Sequence, residues 1–266
     1  PPLERHFIPT SYANRKGYGT HRALRRFARA CHDHAWVLQA DIRFYFPSID
    51  HRLLQAQLER LIACPGTLWL LATILANGAS GGPAIDAFAG DTLLSPLERP
   101  RGLPIGNLTS QFLANLHLNA IDHRLRALPG IRACLRYVDD LALFADRPEP
   151  LRHALLVLRT DLSALRLRLH PTKTHLHRTA AGASFVGFHV IGGRIRLRNH
   201  SLLRIRRGLR RSARALTHRR ISLDQAQASA RSWNAHLAHG HTIQLRRGLF
   251  APHPFATGLP AGVTLW

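Results

Sequence analysis

Residues 135–144 read LRYVDDLALF, two apolar runs with adjacent carboxylates, Asp139 and Asp140, set between them. The wider stretch RACLRYVDDLALFAD, residues 132–146, predicts two short strands joined by a tight loop, a hairpin with its acids at the tip. Neighbouring carboxylates repel and are costly to desolvate, so this hairpin folds only where a cation or hydrogen-bond donors compensate them. A second carboxylate arrives from WVLQADIRFYF, residues 36–46, which reads as a strand carrying Asp41 and ended by Pro47 and Ser48. Three carboxylates on adjacent strands form an oxygen-rich site for Mg²⁺, a hard cation that takes carboxylates and substrate phosphates as ligands. Two such ions about 3.5–4 Å apart stabilise the attacking and leaving oxygens of an in-line phosphoryl displacement. A lone Asp-Asp pair is better read as turn-forming residues, so its surroundings decide.

The charge balance points the same way. With 37 Lys+Arg against 15 Asp+Glu, a net charge of +22, the chain is suited to a polyanionic partner such as nucleic acid. At 266 residues and 45% hydrophobic it is long enough for a sizeable core. The three cysteines, Cys31, Cys64 and Cys134, lack CxxC spacing, which argues against a disulfide framework or zinc knuckle and fits a reducing cytosol. No apolar run approaches a membrane span and no secretion signal opens the chain, so a cytoplasmic protein without membrane contact is expected. The chain has no methionine and begins Pro1-Pro2, which reads as an excerpt of a longer protein. Among 18 histidines, CHDH at 31–34 and HLH at 175–177 lack a second ligand pair at zinc-finger spacing and read as ordinary histidines.

Along the chain, a loop gives way after Gly19-Thr20 to a helix with Leu24, Phe27 and Ala28 on one face. IDHRLLQAQLERLI continues as a helix after the first strand, and residues 78–103 read as loop or short ribbon. From Thr109 to Leu128 the sequence predicts one helix, with Phe112, Leu116, Ile121 and Leu125 on its apolar face and Pro129-Gly130 as its stop. PEPLRHALLVLRTDLSALRLRL is an amphipathic helix, and FVGFHVIGGRIRLR a second hairpin turning at Gly192-Gly193. Beyond about residue 200 Leu202, Ile205, Leu209, Ala213 and Leu216 form a helical stripe, eight arginines crowd residues 201–220, and Asp224 is the sole acid up to 266.

Taken together these pieces resemble the reverse transcriptases of bacterial retroelements. YVDD at 137–140 is similar to that family's metal-binding hairpin, and ADIRFYFPSIDH at 40–51 to its first aspartate motif. RGLPIGNLTSQFLANLHLNAIDH at 101–123 resembles its nucleotide-holding loop and helix, HPTKT at 170–174 its lysine motif, and SFVGFHV at 184–190 its primer-gripping hairpin. These occur in the family's order and cover most of residues 7–195. SYANRKGYGTHRAL at 11–24 and GLPIGNLTSQ at 102–111 resemble most closely the diversity-generating retroelements, where many relatives have Gln after the Leu-Pro; Ile105 stands there in this chain.

The resemblance implies an α+β polymerase palm with an antiparallel sheet and flanking helices, preceded by partial fingers and followed by a helical thumb. The domains implied are 1–35 fingers, 36–198 palm and 199–266 thumb. It implies that Asp41 and Asp139 hold two Mg²⁺ ions, that Asp140 completes the cluster, and that Ile42 offers its carbonyl to the nucleotide-bound metal. Phe46 would exclude a ribose 2′-hydroxyl or else simply pack in the core, and Ile105 and Gly106 would line the nucleotide pocket. Lys173 would be the general acid toward pyrophosphate, a reading that gains weight because only Lys16 and Lys173 are lysines in this arginine-biased chain. Arg15 and Lys16 would touch phosphate or template, and Arg204, Arg207, Arg211 and Arg214 would track the phosphates of a template–primer duplex. The implied partners are template RNA, the primer/cDNA duplex, dNTPs and a basic accessory protein. Uncharacterised and antiviral bacterial reverse transcriptases share related loops, so the alternatives are another bacterial reverse transcriptase, of group II intron, retron or antiviral type, and a catalytically silent RNA-binding scaffold that would use the same basic surface.

Overall fold

The computed structural model describes residues 2–78, 86–104, 106–253 and 255, which divide into two compact units, Pro1–Thr179 and Ala180–Trp266.

In the first unit four strands form a sheet in the order β2-β3-β1-β4, with β1 Trp36–Asp41, β2 Ala133–Tyr137, β3 Asp140–Ala145 and β4 His175–Arg178. Every neighbouring pair is antiparallel. β3 is apolar from Leu141 to Ala145 and fully buried there, as a central strand covered on both faces requires. Helix α1 (Thr20–Asp33) buries Ala23, Leu24, Phe27 and Cys31 at helical spacing, and the Phe27 ring meets Phe144 of β3 edge-on at 5.4 Å.

The predicted first strand stops five residues early, at Asp41. Its ladder with β3 ends there, opposite Asp140, and Ile42 beyond makes only an isolated bridge to Leu169. With the ladder to β3 ended, the chain turns at Phe44, which adopts φ 46°, into the short helix α2 (Tyr45–Ser48). Pro47 fits within this first turn, where a backbone donor is not needed. Helix α3 (His51–Glu59) follows as expected, its N-terminus capped by the Asp50 carboxylate accepting from Leu53 N at 3.1 Å. Asp50 is fully buried and paired with Arg166 at 2.6 Å and Arg99 at 3.4 Å.

Helix α4 (Pro65–Asn77) has no counterpart in the sequence reading: PGTLWLLATILAN is apolar on every side and shows no helical period. Of the expected loop at 78–103, residues 79–85 lie outside the described residues, while Ser95–Glu98 forms a single helical turn, α5. The long helix predicted after Thr109 is two, α6 (Leu108–His117) and α7 (Asn119–Ala127), broken at Leu118 with φ −93° and ψ −2°. The reason is in the spacing: the step from Leu116 to Ile121 is five residues, too far round a continuous helix to keep both on one face. Helix α8 (Pro148–Ala164) buries Leu151, Ala154, Leu158 and Leu162 and packs against β1 and β3.

The second unit opens with a sheet ordered β5-β6-β7, comprising β5 Ala183–Phe185, β6 Phe188–Ile191 and β7 Arg194–Leu197. The predicted Gly192-Gly193 turn joins β6 to β7, both glycines at positive φ, 55° and 72°. Helices α9 (Asn199–Thr217), α10 (Leu223–Leu237) and α11 (Ile243–Phe250) follow, with Ile205, Leu209, Ala226, Ala230 and Leu237 in a shared core. Ser222 and Gln225 form a reciprocal capping box at the start of α10. Gly208 of α9 lies beneath the Trp233 ring of α10, so close that a Cβ there would stand 2.6 Å from it.

His117, at the end of α6, is fully buried with Nδ1 2.8 Å from the Gln57 side-chain oxygen. Burial holds its imidazole well below the ordinary 6.5, at about 4, against a smaller opposing pull from Asp50. A depressed folded pKa means the unfolded chain takes up the proton first. The stability is therefore whole above pH 6.5 and lost as pH falls towards 4. Between pH 7.5 and 5 the loss from this one group is about 2 kcal/mol. Thermal unfolding across that range measures it, and His117→Gln, which cannot protonate, should lose less.

Candidate active site

The register of β1 on β3 places Asp41 opposite Asp140 as the last pair of the ladder. The turn between β2 and β3 consists of Val138 and Asp139, and Val138 sits at φ 60°. The Ile42 N–H donates to the Asp139 carbonyl at 3.3 Å, so the end of β1 is tied to that turn. A third strand of chain closes the group. After α8 the backbone returns alongside Asp41, with Arg43 N–H donating to Arg168 O at 2.8 Å and His170 N–H to Asp41 O at 2.7 Å. Three residues beyond His170, the Lys173 ammonium meets both oxygens of the Asp41 carboxylate at 3.1 and 3.2 Å.

The charges are consistent with that crowding. Burial raises the Asp139 carboxyl above the usual carboxylate range, and the nearby Asp41 charge adds to it. Its own backbone N–H, together with Lys173 and Arg136, works in the opposite direction. Among the described residues no three His, Cys, Asp or Glu side chains form a closed metal cage. Asp41 and Asp139 nevertheless fit a hard cation: two acidic oxygen donors from neighbouring strands, one already holding an ammonium and the other short of positive charge.

The remaining residues singled out in the sequence are dispersed. Phe46 is half-buried, packed against the core and 5.7 Å from the Tyr45 ring, while the buried Tyr45 hydroxyl donates to Ala114 O at 2.5 Å. Ile105 lies outside the described residues, and Gly106 is exposed at φ 95°. Arg15 turns inward: Nη1 donates to the Ile8 and Ser11 carbonyls at 2.8 and 2.9 Å, and the guanidinium stacks 4.0 Å above Tyr18. Lys16 beside it is exposed. In the second unit Arg204, Arg207, Arg211 and Arg214 are all exposed on α9, joined there by Arg206 and Arg210.

Two features of the site escaped the sequence reading. One is Arg136, wholly buried beside the acidic turn; a charged residue inside the apolar run ACLRY was the available signal. The other is Phe44, an exposed ring in left-handed backbone three residues past Asp41, with the Arg43 guanidinium 5.1 Å from its centroid. Nothing in the sequence marks that conformation.

An antiparallel sheet with aspartates at the ends of two central strands, a lysine on the returning segment and helices packed around it is the palm of a polymerase. The chain belongs to the reverse transcriptase (RNA-dependent DNA polymerase) family, whose model matches residues 2–190. No curated protein sequence matches it. In fold it is similar to apo telomerase from Candida tropicalis truncated from its C-terminal domain, with a TM-score of 0.53 and 11% identity over 74% of this chain and 43% of that one. It is likewise similar to telomerase from Candida albicans in complex with a TWJ fragment of telomeric RNA, with a TM-score of 0.50 and 12% identity over 74% of this chain and 36% of that one. The chain thus spans less than half the length of either telomerase.

A bulky residue held at positive φ costs about 1 kcal/mol or more, and such strain persists where the surroundings impose it. Phe44→Gly should remove that cost and raise the melting temperature by about 2–4 °C. Differential scanning calorimetry of the two proteins measures the shift.

Proposed function

We propose that this chain catalyses RNA-templated DNA synthesis by nucleotidyl transfer. The observation that carries the reading is the gathering of Asp41, Asp139 and Lys173 at one end of the sheet, from three separate stretches of sequence. In the reaction the primer 3′-hydroxyl gives up its proton to water and its oxygen bonds to the α-phosphorus of a dNTP, the bond from that phosphorus to the bridging oxygen breaks, and pyrophosphate leaves. Two Mg²⁺ ions held by Asp41 and Asp139, with Asp140 and the Ile42 carbonyl beside them, would lower the charge on the attacking and leaving oxygens. Lys173, which pairs with Asp41 in the structure, would give its proton to the departing pyrophosphate. The exposed arginines of α9 supply sequence-independent contacts to the template–primer backbone, and Lys16 a further one.

Within the family, the loop GLPIGNLTSQ favours error-prone cDNA synthesis in a diversity-generating retroelement, acting in the cytoplasm with a template RNA and a basic accessory protein. If Ile105 takes the place of the Gln found in many relatives, the nucleotide would meet an apolar side chain where Gln would hydrogen-bond, and correct and incorrect pairs would differ less in energy. A loss of about 1.4 kcal/mol of discrimination raises errors tenfold.

Primer extension on an RNA template with Mg²⁺ tests the activity. A parent that fails to extend would leave a silent RNA-binding scaffold as the better reading. Asp139→Asn should abolish extension and leave template–primer affinity largely intact, since it removes metal-binding charge and no arginine; substantial extension by that variant would overturn the metal assignment. Sequencing cDNA from the parent and Ile105→Gln tests the finer reading: the substitution should lower misincorporation opposite template adenine more than opposite other bases. A parent as accurate at adenine as elsewhere would point to a different bacterial reverse transcriptase.

A further inference from the structure

Among the described residues Arg136 is the largest side chain with no solvent exposure. Burying a guanidinium works against its charge, but the Asp122 carboxylate facing it outweighs that and raises its pKa. All three of its nitrogens donate hydrogen bonds. Nε donates to the two oxygens of Asp122 at 2.9 and 2.8 Å, and Nη2, in ion-pair contact with Asp122 Oδ2 at 2.7 Å, donates to the Asn115 carbonyl at 3.1 Å. Nη1 donates to Asn115 Oδ1 at 2.9 Å and to the Val138 carbonyl at 3.1 Å.

The last of these bonds differs from the rest. Asp122 and Asn115 lie on α7 and α6, so the contacts to them join helices to the sheet. Val138, in contrast, is the residue immediately before Asp139. It is β-branched and held at φ 60°, a conformation such residues avoid. A trans peptide is planar, with its C=O and N–H pointing in opposite directions. Fixing the Val138 carbonyl toward Arg136 therefore aims the Asp139 N–H away from the core, and that N–H faces the Asp139 carboxyl.

We infer that Arg136 is a positioning residue for catalysis: its Nη1 bond to the Val138 carbonyl holds the hairpin turn in the left-handed form that presents Asp139 beside Asp41. Asn115 extends the same network, its Nδ2 donating to Ala13 O at 2.8 Å, while residues 10–12 bond along both sides of Arg136 through Arg136 N–H to Thr10 O and Tyr12 N–H to Arg136 O, each 3.0 Å. The turn is thus braced against two helices and the N-terminal segment through one guanidinium. This inference rests on the proposed polymerase activity.

A purely structural ion pair is replaceable. Apolar residues of similar volume often substitute for a buried pair without loss of stability, but they donate nothing to Val138. The experiment compares the parent with Asp122→Leu/Arg136→Met and with Arg136→Lys, which keeps the charge but lacks the fork needed to serve Asp122, Asn115 and Val138 together. Melting temperature, template–primer affinity and single-turnover extension are measured for each. A parent that fails to extend primers refutes the polymerase reading itself, separately from this one. With an active parent, a folded variant should bind template–primer normally and extend about a hundredfold more slowly. Adding Val138→Gly, which adopts the left-handed turn unaided, should then recover part of the rate. A folded variant that extends within about threefold of the parent overturns the inference, as does a slow variant that Val138→Gly leaves unimproved. If neither Arg136 variant folds, Val138→Gly in the parent decides. With Arg136 still holding the carbonyl, extension should stay within about threefold, and a loss beyond tenfold would show that the Val138 side chain sets the turn.

Discussion

Carboxylates at the ends of adjoining strands repel, and most of the first unit is arranged so that they stay together regardless. The register of β1 on β3 brings Asp41 level with Asp140, and slipping it by one residue would exchange the two faces of the slipped strand. Against the repulsion stand two cations of different kinds. Lys173 approaches from the half-exposed side and contacts Asp41 directly, whereas Arg136 lies in the core and acts chiefly through the backbone of the turn. The balance is incomplete, since the Asp139 carboxyl still lies above its usual range. A site left short of positive charge is suited to receive more of it.

How much of this is legible in the sequence depends on whether each feature is carried by periodicity or by contact. Helix α8 and the β2–β3 hairpin follow from the spacing of apolar residues, and Asp41, Asp139 and Lys173 from motifs that survive as short words. The break at Leu118 was also available, in a five-residue step between apolar positions. Other features were not. β1 ends at Asp41 because its neighbour ends, which is a property of the partner strand, and the left-handed backbone at Phe44 follows from that. The pairing of Arg136 with Asp122 joins residues 14 apart through the core, and a single sequence does not show which buried charge meets which. Arg15 carries the opposite lesson: a cation beside a basic, glycine-rich turn reads as a phosphate contact, yet its guanidinium bonds the protein's own carbonyls.

The likeness to the two telomerases is one of backbone alone, at 11 and 12% identity. What such distant chains share is the course of the backbone, which many sequences satisfy. The second unit illustrates how loosely the rest is specified. Its helices need an apolar stripe, caps and a solvent face, and on α9 arginine supplies nearly all of that face.

That abundance bears on Gly208. Gly208 stands between Arg207 and Arg210 in this arginine-rich helix. An arginine at 208 would drive a side chain into the ring of Trp233, against which even a Cβ has no room. The row of charge along α9 is thus interrupted where the indole of the next helix presses on its backbone, at a contact that admits no side chain at all.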